Sequence, residues 1–385
     1  MMYPTLFACL LAGSVCAQSA DIRLRLIGER HLEPREEFLG TRIGGISGID
    51  FEPTWRDSGT LVILSDDPGR YAPARAYLGQ VELAEDRIVG LDWSYLLRLT
   101  WASGDLISGA GLDPEGIRIM MHEGTFGEPS LMWVSEGTAV MDGNGDPGAP
   151  RIYEMCSAAT RMDEWPAPQS HVASSPGVGV KTNRSFESIA MIAHELAVVA
   201  TEEPLKQDGE ADDGTGWVRL STYSFAKANT EPIAQVVYPL GPTPEHVGIA
   251  STGLTDLLGL ADGRLLSIER TFTPAGTFHV DLFVVDPSGA TDVLELESLR
   301  GEEFVPASKT HIATLNDLAP TVLNVEGVCF GPTLEDGTRT LLLVSDSNFQ
   351  PGVPTVFTAF AVEDDGGVLV PADTMPPSID EARID

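Results

Sequence analysis

The chain has 385 residues with 57 acidic and 24 basic side chains, so its formal net charge at pH 7 is −33. Nucleic acids and anionic membrane surfaces bind basic footprints, and this charge argues against both as partners. It favours the attraction of cations such as Ca²⁺.

The first predicted element is a secretory signal. Residues 5–17 form an apolar run of signal-peptide length that is too short to span a bilayer. Val15 and Ala17 give a small-residue cleavage pattern, which predicts a signal peptide at residues 1–17. We therefore expect a mature chain of residues 18–385 in the periplasm or secreted, without membrane insertion.

A glutamate-containing motif then recurs about every 70 residues. It is DPEGIRI around Glu115, RSFESIA around Glu187 and NVEGVCF around Glu326. Weaker copies align Ser47 in GGISGIDF and Thr255 in TGLTDLLGL. Five evenly spaced copies predict five repeats of one supersecondary unit.

A second motif follows each copy, where an apolar run ends in a hydroxyl and an acid. The fourth repeat departs from it, because Glu269 and Arg270 stand at these two positions. The other pairs are Ser65 and Asp66, Ser135 and Glu136, Thr201 and Glu202, and Ser345 and Asp346.

Further short runs complete the repeats, and they are rich in Val, Leu, Tyr and Phe and bounded by turn residues. Four strands per repeat predict an all-β chain that forms a single β-propeller of four-stranded blades. The repeat count gives five blades, and six is the alternative because the repeats are long. The last repeat lacks a strand that residues 22–32 can supply, so strands from both termini close the ring. The additional runs are ARAYLGQVEL, RIVGLDWSYLLRL, WVRLSTYSFA, AQVVYPL, FHVDLFVVD and ATDVLELESL.

The two motifs are expected to meet at one end of the central channel. The first begins the innermost strand and the second ends the antiparallel second strand, so both lie at the same end of the blade. Carboxylates crowded at one mouth repel one another without a counter-ion, and Ca²⁺ prefers such oxygen ligands. The alternative is that each glutamate caps backbone groups of the next blade. The predicted metal ligands are Asp66, Glu115, Glu136, Glu187, Glu202, Glu326 and Asp346.

Two cations are predicted at the same mouth. Arg184 precedes an inner strand and Arg270 ends a second strand. Each can hold an anion or neutralise a neighbouring carboxylate. No paired histidine spacing for zinc and no Gly-x-Ser-x-Gly elbow is found in the sequence.

Several of these motifs resemble a known family. DPEGI, NRSFESIA, GLTDLLGLADGRLLSIERTF and NVEGVCFG are similar to those of exported bacterial phytase-like proteins, described as having esterase-like activity of phytase. The resemblance covers roughly residues 40–350 and implies a propeller that hydrolyses phosphoesters or other esters. β-Propeller phytases use a calcium-lined channel, but none of their motifs transfers to this chain residue by residue.

Three functions follow as hypotheses. The first is a calcium-dependent hydrolase of phosphate esters or other esters, in which an anionic or ester small molecule binds to a monomer. Its catalytic residues would be Glu115, Glu187, Glu326, Arg184 and Arg270. The second is a lactonase-like propeller with one metal that polarises a carbonyl. The third is a non-catalytic propeller that binds a ligand.

The mature chain keeps two cysteines, which we predict are not bonded to each other. Cys156 is expected on a rim strand of the second blade and Cys329 on the inner strand of the fifth. A disulfide needs Cα atoms within about 7 Å, which this placement excludes. Each is expected to be a buried small hydrophobe.

Overall fold

The protein is an all-β chain in the computed structural model, and no α-helix occurs in the part of the chain that is described. The described residues also contain two 3₁₀ turns between strands, Gln169–His171 and Leu315–Asp317. The predicted signal peptide lies outside the described residues. These are residues 22–55, 59–101, 103–108, 112–121, 129–137, 149–156, 162–173, 176–211, 213–225, 231–242, 251–273 and 275–373.

Five four-stranded antiparallel sheets form the blades of a β-propeller. The first blade contains β4 (Ile46–Glu52), β5 (Thr60–Ser65), β6 (Arg75–Ala84) and β7 (Arg87–Arg98). The second contains β8 (Pro114–Met120), β9 (Ser130–Ser135), β10 (Arg151–Cys156) and β11 (Met162–Pro166). The third contains β12 (Phe186–Ala193), β13 (Leu196–Thr201), β14 (Gly216–Ser224) and β15 (Ala234–Leu240). The fourth contains β16 (Ser251–Gly259), β17 (Leu265–Phe272), β18 (Phe278–Asp286) and β19 (Ser308–Thr314), and the fifth β20 (Asn324–Phe330), β21 (Thr340–Asp346), β22 (Thr355–Asp364) and β1 (Ile22–Leu32). A small hairpin, β2 (Glu37–Phe38) and β3 (Thr41–Arg42), joins β1 to the first blade.

The strands nearest the channel are mostly buried because neighbouring blades cover both of their faces. Strands β5 and β9 are buried at every position, whereas the outer strand β7 is mostly exposed or half-buried. The inner strands β4, β8, β12, β16 and β20 contact one another in a closed ring. Five apolar clusters fill the five spaces between adjacent blades. The core is thus divided among the blade interfaces, as a propeller requires.

The fifth blade confirms the predicted closure by both termini. Strand β1 pairs with β22 along its length and forms the outer edge of that blade. Leu24 packs on one side of the sheet, while Ile27 and Leu32 pack on the other. The count of five blades is also confirmed.

The prediction that ATDVLELESL forms a strand of the fourth blade is wrong. Residues 290–299 form turns, and β19 pairs with β18 in their place. Asp292 Oδ1 accepts hydrogen bonds from the backbone N–H groups of Leu294 and Gln235, each 3.0 Å long. Val293 and Leu299 pack against Val237 of the third blade. The alternating apolar residues therefore cover a neighbouring blade, and alternation alone could not distinguish that from a strand.

The two cysteines form no disulfide, as predicted. Cys156 is on β10, the third strand of its blade, and Cys329 is on the inner strand β20. Cys329 is fully buried in the core between the fifth and first blades. The expectation of full burial fails for Cys156, which is half-buried because it ends an outer strand.

Candidate functional site

A β-bulge lies near the start of every inner strand, and it explains how a glutamate fits into an apolar strand. The pairing register shifts at the motif residue in all five blades. A bulged residue has no ladder partner and its side chain is turned away from the regular alternation. The bulge therefore directs the side chain into the channel, not into the core between sheets. The bulged positions are Ser47, Glu115, Glu187, Thr255 and Glu326.

Three of these bulges are followed by a glycine that lets the next inner strand come close. A Cβ on Gly116 would lie 2.8 Å from the Glu187 carbonyl oxygen of the next blade. A Cβ on Gly48 would lie 2.8 Å from the Glu115 carbonyl oxygen, and one on Gly327 would lie 2.9 Å from Ile49. In the Glu-Gly pair of the motif, the glutamate thus places its side chain in the channel and the glycine allows close contact between blades.

The side chains from the bulges and from the ends of the second strands line one cavity of about 100 Å³, which we call the funnel. All nine of the predicted site residues are there, so the convergence predicted from the repeat is confirmed. Their roles in catalysis and metal binding remain predictions. The lining consists of Ser47, Asp66, Asp113, Glu115, Glu136, Asn183, Arg184, Glu187, Glu202, Arg270, Glu326, Asp346 and Asn348.

Among the described residues, the lining holds eight carboxylates and two guanidinium groups, and it contains neither histidine nor cysteine. Asp113 was missed by the sequence reasoning. It lies two residues before Glu115, and side chains two apart along an extended chain face the same side, so this signal was available. Ligand oxygens of Asp113, Glu115 and Glu136 lie within 4.8 Å of one another. Three carboxylates this close can share one cation.

Both terminal nitrogens of Arg270 donate hydrogen bonds to neighbouring side chains of the funnel. Its Nη2 donates to Glu202 Oε1 at 2.6 Å, and its Nη1 donates to Glu326 Oε1 and to Asn324 Oδ1. Ser47 Oγ donates to the other oxygen of Glu326 at 3.2 Å. Arg270 therefore neutralises two carboxylates, which is the second of the roles predicted for it.

Arg184 is more open than Arg270, since its side chain is 34% exposed. It donates from Nη1 to Glu202 Oε2 at 3.0 Å and from Nε to Glu203 Oε1 at 2.9 Å. Lys181 pairs with the same Glu203 at 2.9 Å. These contacts place one partly solvated cation at the rim of the funnel.

Crowding and burial oppose ionisation of the acids. Burial, followed by the neighbouring carboxylates Asp346 and Glu326, raises the pKa of Asp66 well above its usual range. Burial raises the pKa of Asp113 to about 7 and that of Glu136 to about 8. Part of the funnel is therefore protonated at neutral pH unless a cation enters.

One buried oxygen in the funnel lacks a hydrogen-bond donor among the described residues. Glu187 is 7% exposed, and its Oε2 has no partner in the described residues. Burial, followed by Glu202 and Glu136, raises the pKa of Glu187 well above its usual range. A buried carboxylate oxygen without a donor is rare, and it marks a position that a cation would satisfy.

The described residues of the fourth blade contribute a cation to the funnel and no carboxylate. Thr255 stands at the glutamate position, and its hydroxyl donates to the Val325 carbonyl at 3.2 Å. Glu269 points away and pairs with Lys309 and Tyr238. Asp256 also lies outside the funnel, where it pairs with Arg118 at 2.8 Å.

A family profile described as phytase-like, esterase-like activity of phytase, matches residues 41–349 of this chain. The chain belongs to the phytase-like family. The match includes all four motifs on which the resemblance rested, and every residue of the funnel. The description of the phytase-like family supports a hydrolytic propeller.

Other comparisons add little to the phytase-like match. No curated protein matches the chain. A hypothetical protein from Leishmania major is 11% identical, covers 92% of this chain and 96% of its own, and has a TM-score of 0.37. A proposed glycoside hydrolase from Parabacteroides distasonis is 11% identical, covers 90% of this chain and 94% of its own, and has a TM-score of 0.42. These likenesses are too loose to carry an argument.

Proposed function

We propose that this chain is an exported, calcium-dependent hydrolase of anionic esters, phosphate esters above all, that acts at the funnel. The observation that carries the proposal is the buried Glu187 Oε2 without a donor, in a cavity lined by eight carboxylates. Family membership supports hydrolysis, and the predicted signal peptide supports export. No helix in the described part of the chain is long and apolar enough to cross a membrane.

Ca²⁺ suits these residues by the chemistry of their donors. It takes six to eight oxygen ligands, and the funnel offers carboxylate oxygens together with the amide groups of Asn183 and Asn348. Asp113, Glu115, Glu136 and Glu187 would hold the ion. When bound, Ca²⁺ supplies positive charge that lowers the repulsion among the acids and stabilises charge on a reacting oxyanion.

The side chains of the funnel would divide the remaining tasks. In hydrolysis the oxygen of water bonds to phosphorus, the ester P–O bond breaks, and the leaving oxygen takes a proton. Another carboxylate of the funnel would take a proton from the water, and that proton would pass to the leaving oxygen. Arg184 at the rim would orient the anion. Arg270 would keep Glu202 and Glu326 in place.

The test of the proposal is calcium binding by wild type and by Glu187→Gln. We expect calorimetry of chelator-treated protein to detect Ca²⁺ in the wild type, and its affinity to fall at least about tenfold in the variant, because a ligand charge is lost. Glu335→Gln, in an exposed turn, is the matched control and should bind as the wild type does. Wild-type protein that binds no Ca²⁺ would refute the metal site.

Turnover distinguishes the three functional hypotheses. Ca²⁺-loaded protein is assayed for release of phosphate from phosphate esters, of alcohol from carboxylate esters, and for lactone opening. Phosphate release that stops with chelator supports the proposal. Opening of lactones alone favours the lactonase-like alternative, and Ca²⁺ binding without turnover favours a binding propeller.

A further inference from the structure

Two aromatic side chains in contact, Tyr71 and Phe349, lie at the rim of the funnel, and we call them the aromatic ledge. Their ring centroids are 4.5 Å apart with an interplanar angle of 34°. Tyr71 is 52% exposed, whereas Phe349 is buried beneath it. The ledge therefore presents one large ring to solvent on an aromatic base.

The aromatic ledge directly adjoins the carboxylates of the funnel. A Cβ built on Gly45 would lie 2.0 Å from Asp66 Oδ1 and 2.3 Å from the Phe349 ring, so this carboxylate and this ring are immediate neighbours. Asn348, the residue before Phe349, itself lines the funnel. Its backbone N–H donates to Asp346 Oδ1 at 2.7 Å. A group in the funnel is thus within reach of a ring on the ledge.

The backbone that carries the ledge is held in an unusual conformation. Asn348 and Phe349 have φ values of 49° and 52°, in the left-handed region that bulky residues avoid. Such strain persists only where the surrounding structure enforces it, and it concentrates at binding sites. On the other side, Asp67 accepts backbone hydrogen bonds from Arg70, Tyr71 and Ala72, with lengths of 2.7, 3.1 and 2.9 Å. Both halves of the ledge are therefore fixed before a ligand arrives.

In the part of the chain that the structure describes, two guanidinium groups beside the ledge have no carboxylate partner. Arg42 lies 5.3 Å from the Phe349 centroid and Arg70 lies 5.4 Å from the Tyr71 centroid. Neither forms an ion pair within the described residues. The buried Arg75 nearby differs from Arg42 and Arg70, because it forms an ion pair with Asp67 at 2.8 Å. In a chain of net charge −33, cations left beside the funnel favour an anion there.

We propose that the aromatic ledge binds the aromatic group of an aryl ester whose phosphate enters the funnel. This specificity rests on the proposed function, because the phosphate needs the Ca²⁺-loaded funnel as its anchor. Stacking on Tyr71 favours a flat ring over an alkyl group of the same ester. Arg42 and Arg70 offset the repulsion between the acidic protein and the anion.

The experiment measures binding of phenylphosphonate and methylphosphonate, two analogues that are not hydrolysed, to Ca²⁺-loaded protein by calorimetry. We expect wild type to bind phenylphosphonate more tightly than methylphosphonate. Tyr71→Ala should weaken phenylphosphonate about three- to tenfold and leave methylphosphonate unchanged. Tyr71→Phe keeps the ring and should bind both as wild type does. Tyr95→Ala removes another exposed ring, on the outer strand β7, and is the matched control.

The outcomes separate the ledge from the function on which it rests. If both phosphonates bind wild type equally, or if Tyr71→Ala weakens both alike, the ledge is refuted and the funnel stands. If neither binds in the presence of Ca²⁺, both proposals are overturned. Unchanged melting temperatures of the variants exclude unfolding as the cause of any loss.

Discussion

At the scale of a single residue, Gly116 affects both the packing of two blades and the orientation of a funnel side chain. It follows the bulged Glu115 and leaves no room for a Cβ against the backbone of Glu187 and Ser188. Glycine is thus required at this position because two strands approach each other closely there, not because the backbone has a positive φ.

We expect Gly116→Ala to lower the free energy of unfolding by about 1–3 kcal/mol, because the added methyl group would push two inner strands apart. Urea denaturation measures the change. Gly289→Ala is the control, since a Cβ there meets nothing within 4 Å. Equal stability of the two variants would contradict the close-approach argument.

At the scale of elements, a buried ionic pair ties inner strands together across the channel. Arg118 of β8 donates to Asp256 Oδ1 of β16 at 2.8 Å and to the Ile49 carbonyl of β4 at 2.9 Å. The other oxygen of Asp256 accepts the Val328 N–H of β20 at 2.8 Å. Four of the five blades therefore meet at one pair of charges beyond the funnel.

Asp256→Asn should destabilise the protein by about 3–5 kcal/mol, because it removes the carboxylate that forms an ion pair with the buried Arg118. Chemical denaturation of the variant measures this loss. Glu363→Gln breaks the exposed pair with Arg25 and should change stability little, since solvent screens that pair. If Asp256→Asn lowers the stability no more than Glu363→Gln does, the Arg118–Asp256 pair does not stabilise the contacts between the blades.

For the whole molecule, the funnel links stability to pH and to calcium. Folded Asp113 and Glu136 keep their protons up to about pH 7 and about pH 8, whereas the unfolded chain releases them near pH 4. The folded state then binds more protons than the unfolded state within this window. Stability of the metal-free protein is therefore greatest at the acidic end and falls as pH rises through both values.

Melting curves should reveal this linkage. With chelator, the melting temperature is expected to fall from about pH 5 to about pH 8, and the gain on adding Ca²⁺ should grow over the same range, because the ion replaces protons. The double variant Asp113→Asn, Glu136→Gln should flatten the metal-free profile. A Ca²⁺ gain that is largest at the acidic end would contradict a carboxylate site.

The sequence by itself determined the propeller, its five blades, its closure by residues 22–32 and the meeting of Glu115, Glu187 and Glu326. The physical reason is that each blade repeats the same burial pattern, so equal spacing along the chain becomes equal position around the ring. The nine funnel residues could be predicted because they occupy equivalent or neighbouring positions in the repeats.

Only the tertiary structure decided what the repeat leaves open. It engaged Arg270 with Glu202 and Glu326, assigned β19 to the fourth blade, and brought Tyr71 onto Phe349. Each depends on register or on contacts between segments far apart in the chain, which local alternation and spacing do not specify. A one-residue bulge also redirects a side chain from the core to the channel, and the periodicity of the sequence does not reveal this change.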